Sequence, residues 1–262
     1  MTEPLLATEA ETARKARQTR IEILLVLGLS FGRSAVRAIV DLLNTATSQG
    51  GLAGATTTLN PTQAPGRPWF DLAYNLVDIF FGLVPAFLAI HLLARDHLSV
   101  RALFGLDRTR RGPDALTGVG LAALIGIPGI GLYVLGRHLG IGVQVVATDL
   151  PKIWWEIPVL ILSAIQNGIS EEVVVVGYLT TRLTELKWRL PAVIVASALL
   201  RGSYHLYQGI GAFFGNAAMG VVFAYFYRRF GRVLPLIIAH SILDIITFVG
   251  YALFAKYIPF LH

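Results

Sequence analysis

Cysteine is absent from the chain, which excludes disulfides, thiolate nucleophiles and Cys-ligated metal. Charge is scarce too: only 15% of the residues are Asp, Glu, Lys or Arg, against about a quarter in an ordinary soluble domain. Apolar residues fill the gap. With 55% hydrophobic residues and a mean hydropathy of +0.63, the 262-residue chain belongs in lipid. Acidic residues are the scarcer sign, leaving a net charge of +6, but the basic residues are parcelled between apolar spans. That spacing suits positioning on a membrane, and no nucleic-acid partner is expected. Internal repeats and a separable soluble domain are also missing.

At the ~20 residues needed to cross ~30 Å of hydrocarbon, candidate helices fall at about 21–45, 70–94, 115–136, 153–181, 190–206, 210–227 and 233–256. The expected fold is therefore an all-α, polytopic membrane protein of about seven transmembrane helices, or eight if one span is broken. Four basic clusters share one side. They are Arg14, Lys15, Arg17 and Arg20; Arg95, Arg101, Arg108, Arg110 and Arg111; Arg182, Lys187 and Arg189; and Arg228, Arg229 and Arg232. The opposite loops and C-terminus hold only Arg67, Arg137, Lys152 and Lys256. The positive-inside rule then sets the N-terminus in the cytoplasm and the C-terminus outside a plasma membrane. Residues 1–20 mix Glu3, Glu9 and Glu11 with the first basic cluster and lack a cleavage site, so they read as a retained cytoplasmic tail. Residues 21–150 hold three accessory helices with their loops. The Gly-, Thr- and Pro-rich segment from Thr45 to Pro68 reads as an exposed, irregular external loop.

An ionised side chain near the bilayer centre costs about 2.5–3.5 kcal/mol on insertion scales, so each one asks for a role. Arg37 and Asp41 can pair at i, i+4 in the first span, beside Arg33. Asn75 and Asp78 in the second span are read as hydrogen-bonding neighbouring helices, and His91 as lying near the cytoplasmic end. The last four spans differ. Glu171 and Glu172 sit together in the fourth, Arg201 and His205 one turn apart in the fifth, and His240 and Asp244 one turn apart in the seventh. At 1.5 Å per residue all lie roughly 12–22 Å from the cytoplasmic edge, so they can converge.

A carboxylate with two imidazoles can activate water. It does so directly as a general base with His polarising an oxyanion, or by holding a metal such as zinc that lowers the water's pKa. Both routes lead to hydrolysis. In the metal version the ligands are Glu171, His205 and His240. Because adjacent helical residues differ by about 100°, at most one glutamate is expected to point squarely into the cluster. Glu171 is chosen as the base and Glu172 as its neighbour in orientation or charge.

Glu171-Glu172 followed by Gly177-Tyr178-Leu179, then Ser203-Tyr204-His205-Leu206, then Ala239-His240-Ser241-Ile242-Leu243-Asp244, resembles the CAAX-processing and bacteriocin-processing intramembrane protease family, also called the Abi family. The resemblance covers about residues 155–250 and implies a four-helix catalytic membrane core within 151–262. It also implies an intramembrane endopeptidase with a cytoplasm-accessible cavity, in which Glu171 activates water, His205 assists, and His240 with Asp244 stabilises the oxyanion. The implied partners are the bilayer and a membrane-associated peptide, prenylated or bacteriocin-like. Oligomeric state is not implied. Metal dependence is open within the family.

Two positions depart from the family pattern. The Arg of its Glu-Glu-x-x-x-Arg motif is Val176 here, and the Phe of its Phe-x-x-x-His motif is Arg201. Either Arg201, with Tyr204 beside it, balances Glu172 or holds a substrate carboxylate from the facing helix, or it only caps a wet cavity. Neither His-Glu-x-x-His, Gly-x-Ser-Gly nor Gly-x-Gly-Asp is present, which argues against other intramembrane proteases. The alternative from another class is a non-catalytic immunity or chaperone-like protein that binds a peptide or partner.

Overall fold

The computed structural model describes residues 3–96, 99–105 and 110–257; Arg108 and the side chain of Glu3 lie outside the described residues. The helices are α1 (Glu3–Gly28), α2 (Phe31–Thr47), α3 (Pro68–Gly82), α4 (Val84–Arg95), α5 (Val100–Leu103), α6 (Arg111–His138), α7 (Glu156–Glu171), α8 (Leu179–Glu185), α9 (Leu190–Tyr204), α10 (Ile210–Phe230) and α11 (Leu234–Phe254). Two strands, β1 (Thr56–Asn60) and β2 (Gln144–Thr148), complete the elements that matter here. Apolar side chains such as Leu24, Phe80, Leu116 and Ile127 stand exposed around the bundle, as a lipid-facing surface requires. The protein is a multi-pass helical membrane protein.

Among the described residues, five continuous segments are long and apolar enough to cross a bilayer: Pro68–Arg95, Arg111–His138, Glu156–Glu185, Ile210–Phe230 and Leu234–Tyr257. Two of the seven expected spans fall outside these five. The first span is a pair of helices bent by 53°, which would make at most a sixth. The break follows Gly28, where Ser30 Oγ donates to the Val26 carbonyl at 2.6 Å and so competes with the helical bond. The fifth, α9, has only 15 residues, or roughly 22 Å at 1.5 Å per residue, and stops short of a full crossing.

Segment Glu156–Glu185 is the axis of the bundle, and most of its apolar stretch is buried. Its middle, Glu172–Tyr178, is π-helical. Four consecutive valines, Val173 to Val176, crowd an α-helical backbone, and Gly177 after them has low helix propensity. All four valines are fully enclosed by their neighbours. Ser197 of α9 donates to the Val175 carbonyl at 2.8 Å, tying the irregular turn to the next helix. Close approach elsewhere depends on missing side chains. A Cβ on Gly220 of α10 would meet Ala198 Cα of α9 at 2.8 Å, and one on Gly168 of α7 would meet Ser241 Oγ of α11 at 2.5 Å.

The segment expected as an irregular loop contains β1, which pairs in parallel with β2 in the register Thr56–Gln144, Thr57–Val145, Thr58–Val146 and Asn60–Thr148. The β-branched run Thr56-Thr57-Thr58 suits a strand, but its partner is some ninety residues on and invisible to local composition. Arg137 of α6 secures this cap with bonds to the Ala53 carbonyl (3.2 Å) and the Gly142 carbonyl (3.1 Å). The intramembrane polar residues also need correction. Asn75 donates to Asp71 O within α3, and Asp78 accepts from Gln63 of the preceding loop, so among the described residues neither bridges to a neighbouring helix. The Arg37–Asp41 pair forms, at 3.6 Å on an exposed face.

Candidate active site

Four elements deliver side chains to one buried point. Glu171 ends α7, Glu172 opens the π-helical turn, Arg201 and Tyr204 come from the last turn of α9, and His240 with Asp244 from α11. Arg201 is completely enclosed and spreads its guanidinium over both glutamates, with Nη2 at 2.6 Å from Glu172 Oε1 and Nη1 at 3.3 Å from Glu171 Oε2. Its Cζ lies 5.5 Å from the Phe223 ring centroid, a cation–π contact from α10. The expectation that only one glutamate faces the cluster is therefore corrected. Adjacent carboxylates splay apart around the helix, and the guanidinium fork sits in the angle between them.

The two glutamates are nonetheless unequal. Glu172 has no exposed side-chain surface; its Oε1 accepts from Arg201 and from His240 Nδ1 (2.6 Å). Its Oε2 is buried without a hydrogen bond among the described residues. Glu171 keeps 11% of its side chain exposed. Its Oε2 accepts from Tyr204 Oη at 2.6 Å and from Arg201, while no described residue bonds its Oε1. One carboxylate is sealed; the other has an oxygen to spare.

The histidines are held by their other nitrogens. His205 caps α9, and its Nδ1 lies 3.0 Å from the Arg201 carbonyl. A carbonyl only accepts, so Nδ1 carries the proton and Nε2 is left for other work. His240 donates from Nδ1 to Glu172, and its Nε2 lies 3.9 Å from Glu171 Oε2 and 3.8 Å from Asp244 Oδ1. The turn after His205 is pinned to the cap. Val143 N donates to Gln208 O and Ile210 N to Ile141 O, around Gly209 at φ +99°, a conformation that favours glycine. A cleft of about 210 Å³ lined by Asp41, Asn44, Thr56, Thr57 and Tyr207, among others, lies beside that turn.

Motif matching missed Asn167, whose Nδ2 donates to Asp244 Oδ2 at 3.1 Å. The available signal was its position one turn before Glu171 on the same face. The metal version fares poorly on geometry. Among the described residues no three His, Asp or Glu side chains are grouped to hold an ion. Arg201 also sets a fixed positive charge against both glutamates, so Glu171, His205 and His240 as disposed do not fit zinc.

Fold and site together define a polytopic helical membrane protein with a buried Glu-Glu-Arg cluster faced by two histidines. Within it, residues 153–246 match the family described as type II CAAX prenyl endopeptidase Rce1-like, the same family whose three motifs the sequence resembles. No curated protein and no solved structure matches the chain.

Proposed function

We propose that the protein is an intramembrane endopeptidase that hydrolyses a peptide bond of a membrane-associated peptide. The family described as prenyl endopeptidases supports a protease. The observation that carries the chemistry is the contrast between the sealed Glu172 and Glu171, which keeps 11% of its side chain exposed and an oxygen that no described residue bonds.

In this reading Glu171 Oε1 takes a proton from a water molecule whose oxygen adds to the substrate carbonyl carbon. The carbonyl π pair moves onto oxygen. On collapse it returns, the C–N bond breaks with its electrons going to nitrogen, and Glu171 gives its proton to the leaving amine. His205 Nε2 orients the water, and Tyr204 with Arg201 holds Glu171 in one rotamer by bonds to its other oxygen. Glu172 holds His240 and balances Arg201. No step uses a metal. The basic loops support an orientation with the N-terminus in the cytoplasm of a plasma membrane, and prenylated or bacteriocin-like peptides are the first substrates to try.

The test is turnover of a library of membrane-associated peptides, prenylated and not, by purified protein in detergent. Cleavage lost in Glu171→Gln and in His205→Ala, and untouched by chelator, is the expected result. Cleavage that survives both substitutions overturns the assignment, and loss on chelation overturns the metal-free version.

A further inference from the structure

An oxyanion needs a hydrogen-bond donor aimed at it, and most donors around Glu171 are committed; His240 Nε2, 3.9 Å from Glu171 and 3.8 Å from Asp244, and the buried Arg201 Nε are not hydrogen-bonded among the described residues. Tyr204 Oη donates to Glu171, Arg201 Nη1 and Nη2 donate to the two glutamates, and His240 Nδ1 donates to Glu172. Asp244 as a carboxylate only accepts. Asn167 is different. Its amide carries two N–H groups; one donates to Asp244 Oδ2 at 3.1 Å, and no other described residue takes the second.

The placement is specific. Asn167 and Glu171 are one turn apart on one face of α7, and Asp244 and His240 are one turn apart on the facing side of α11. The two pairs meet rung to rung: Asn167 with Asp244 at 3.1 Å, and Glu171 with His240 at 3.9 Å. Side chains one turn apart are about 5–6 Å from each other. That gap accommodates a water on Glu171 beside a substrate carbonyl whose oxygen reaches Asn167. Asn167 and Asp244 are both only partly buried.

We propose that Asn167 is an oxyanion donor of this site beside His240 Nε2 and that Asp244 is its positioning residue, turning the amide so that the free N–H faces the carbonyl. This rests on the peptidase reading. It departs from the role that the motif resemblance gives Asp244, because a carboxylate there cannot donate to a negative oxygen.

The experiment measures kcat and KM on a farnesylated C-terminal peptide and on the peptide the library yields, with thermal unfolding in detergent as the folding control. Asn167→Ala is expected to lower kcat about 100-fold, the usual loss for one oxyanion donor, with KM within about twofold. Asp244→Asn puts a donor at position 244 itself, so the double variant Asn167→Ala with Asp244→Asn is expected to regain at least about tenfold over Asn167→Ala. A merely structural Asn167 predicts no such rescue. Wild-type turnover that is lost in Glu171→Gln yet within about threefold of normal in Asn167→Ala overturns the donor assignment alone. Absence of wild-type turnover on every peptide overturns the peptidase reading and the donor with it.

Discussion

The Glu156–Glu185 segment carries two buried arginine clusters, one on each side of its π-helical turn, and they are built to opposite ends. Arg182 of α8 is saturated. Its Nε reaches Glu22 at 2.9 Å, its Nη1 reaches Asp96 at 2.7 Å and Glu185 at 2.8 Å, and its Nη2 reaches the Leu92 carbonyl at 3.0 Å. Tyr178 Oη adds a bond to the same Glu22, and Arg95 holds that glutamate's other oxygen. This is a clamp joining α1, α4 and α8. Among the described residues, the Arg201 cluster leaves Glu172 Oε2 and Arg201 Nε buried without partners and Glu171 Oε1 without a bond. Buried polar atoms without partners are unfavourable by about 1–3 kcal/mol each. Such atoms beside a carboxylate oxygen that no described residue bonds suit the proposed substrate site, whereas closure marks a joint.

Four measurements would break or sharpen this contrast. Glu171→Gln should reduce turnover by about 10²–10⁴-fold, the range for a general base, while the unfolding temperature in detergent stays close to wild type. Arg182→Met should do the reverse. Removing one partner from a buried ion pair destabilises by about 3–5 kcal/mol, and the partial exposure of Glu185 draws the figure toward the lower end. The surviving folded fraction should keep its turnover per molecule; a loss matching that of Glu171→Gln would erase the distinction between clamp and site. Tyr204→Phe removes a bond to a carboxylate, a type that contributes about 1.5–3 kcal/mol. It should lower kcat about tenfold by freeing Glu171 to leave its rotamer. Ser197→Ala, losing its bond to Val175 O, should shift stability by only about 1 kcal/mol.

Much of this arrangement is legible before folding because charge in an apolar segment has little company. Glu171, Glu172, Arg201, His240 and Asp244 stand out for that reason, and a hydropathy window sees the spans around them. The departure at Arg201 leaves two readings from sequence, a cation moved between helices or the cap of a wet cavity, and in the structure the guanidinium reaches both glutamates. Other features depend on distant partners. The strand pair joins Thr56–Asn60 to Gln144–Thr148, and no local pattern links them. The saturation of Arg182 depends on Glu22 and Asp96, far from it in sequence and joined to it only by the fold. Asn167 is neutral and therefore silent to a search for ionisable groups. The reach of both glutamates toward one guanidinium depends on where α9 ends and how α10 presses on it, through Gly220 and Ala198.

The run Val173-Val174-Val175-Val176 makes the central helix a phase device. Deleting one of these valines would shorten the helix by only about 1.5 Å, yet turn everything beyond it by about 100°. Either Arg182 would keep its clamp or the glutamates would keep Arg201, but not both. The length of this stretch is thus held as a count of residues, and a bulkier or smaller residue within it is a milder insult than one too few.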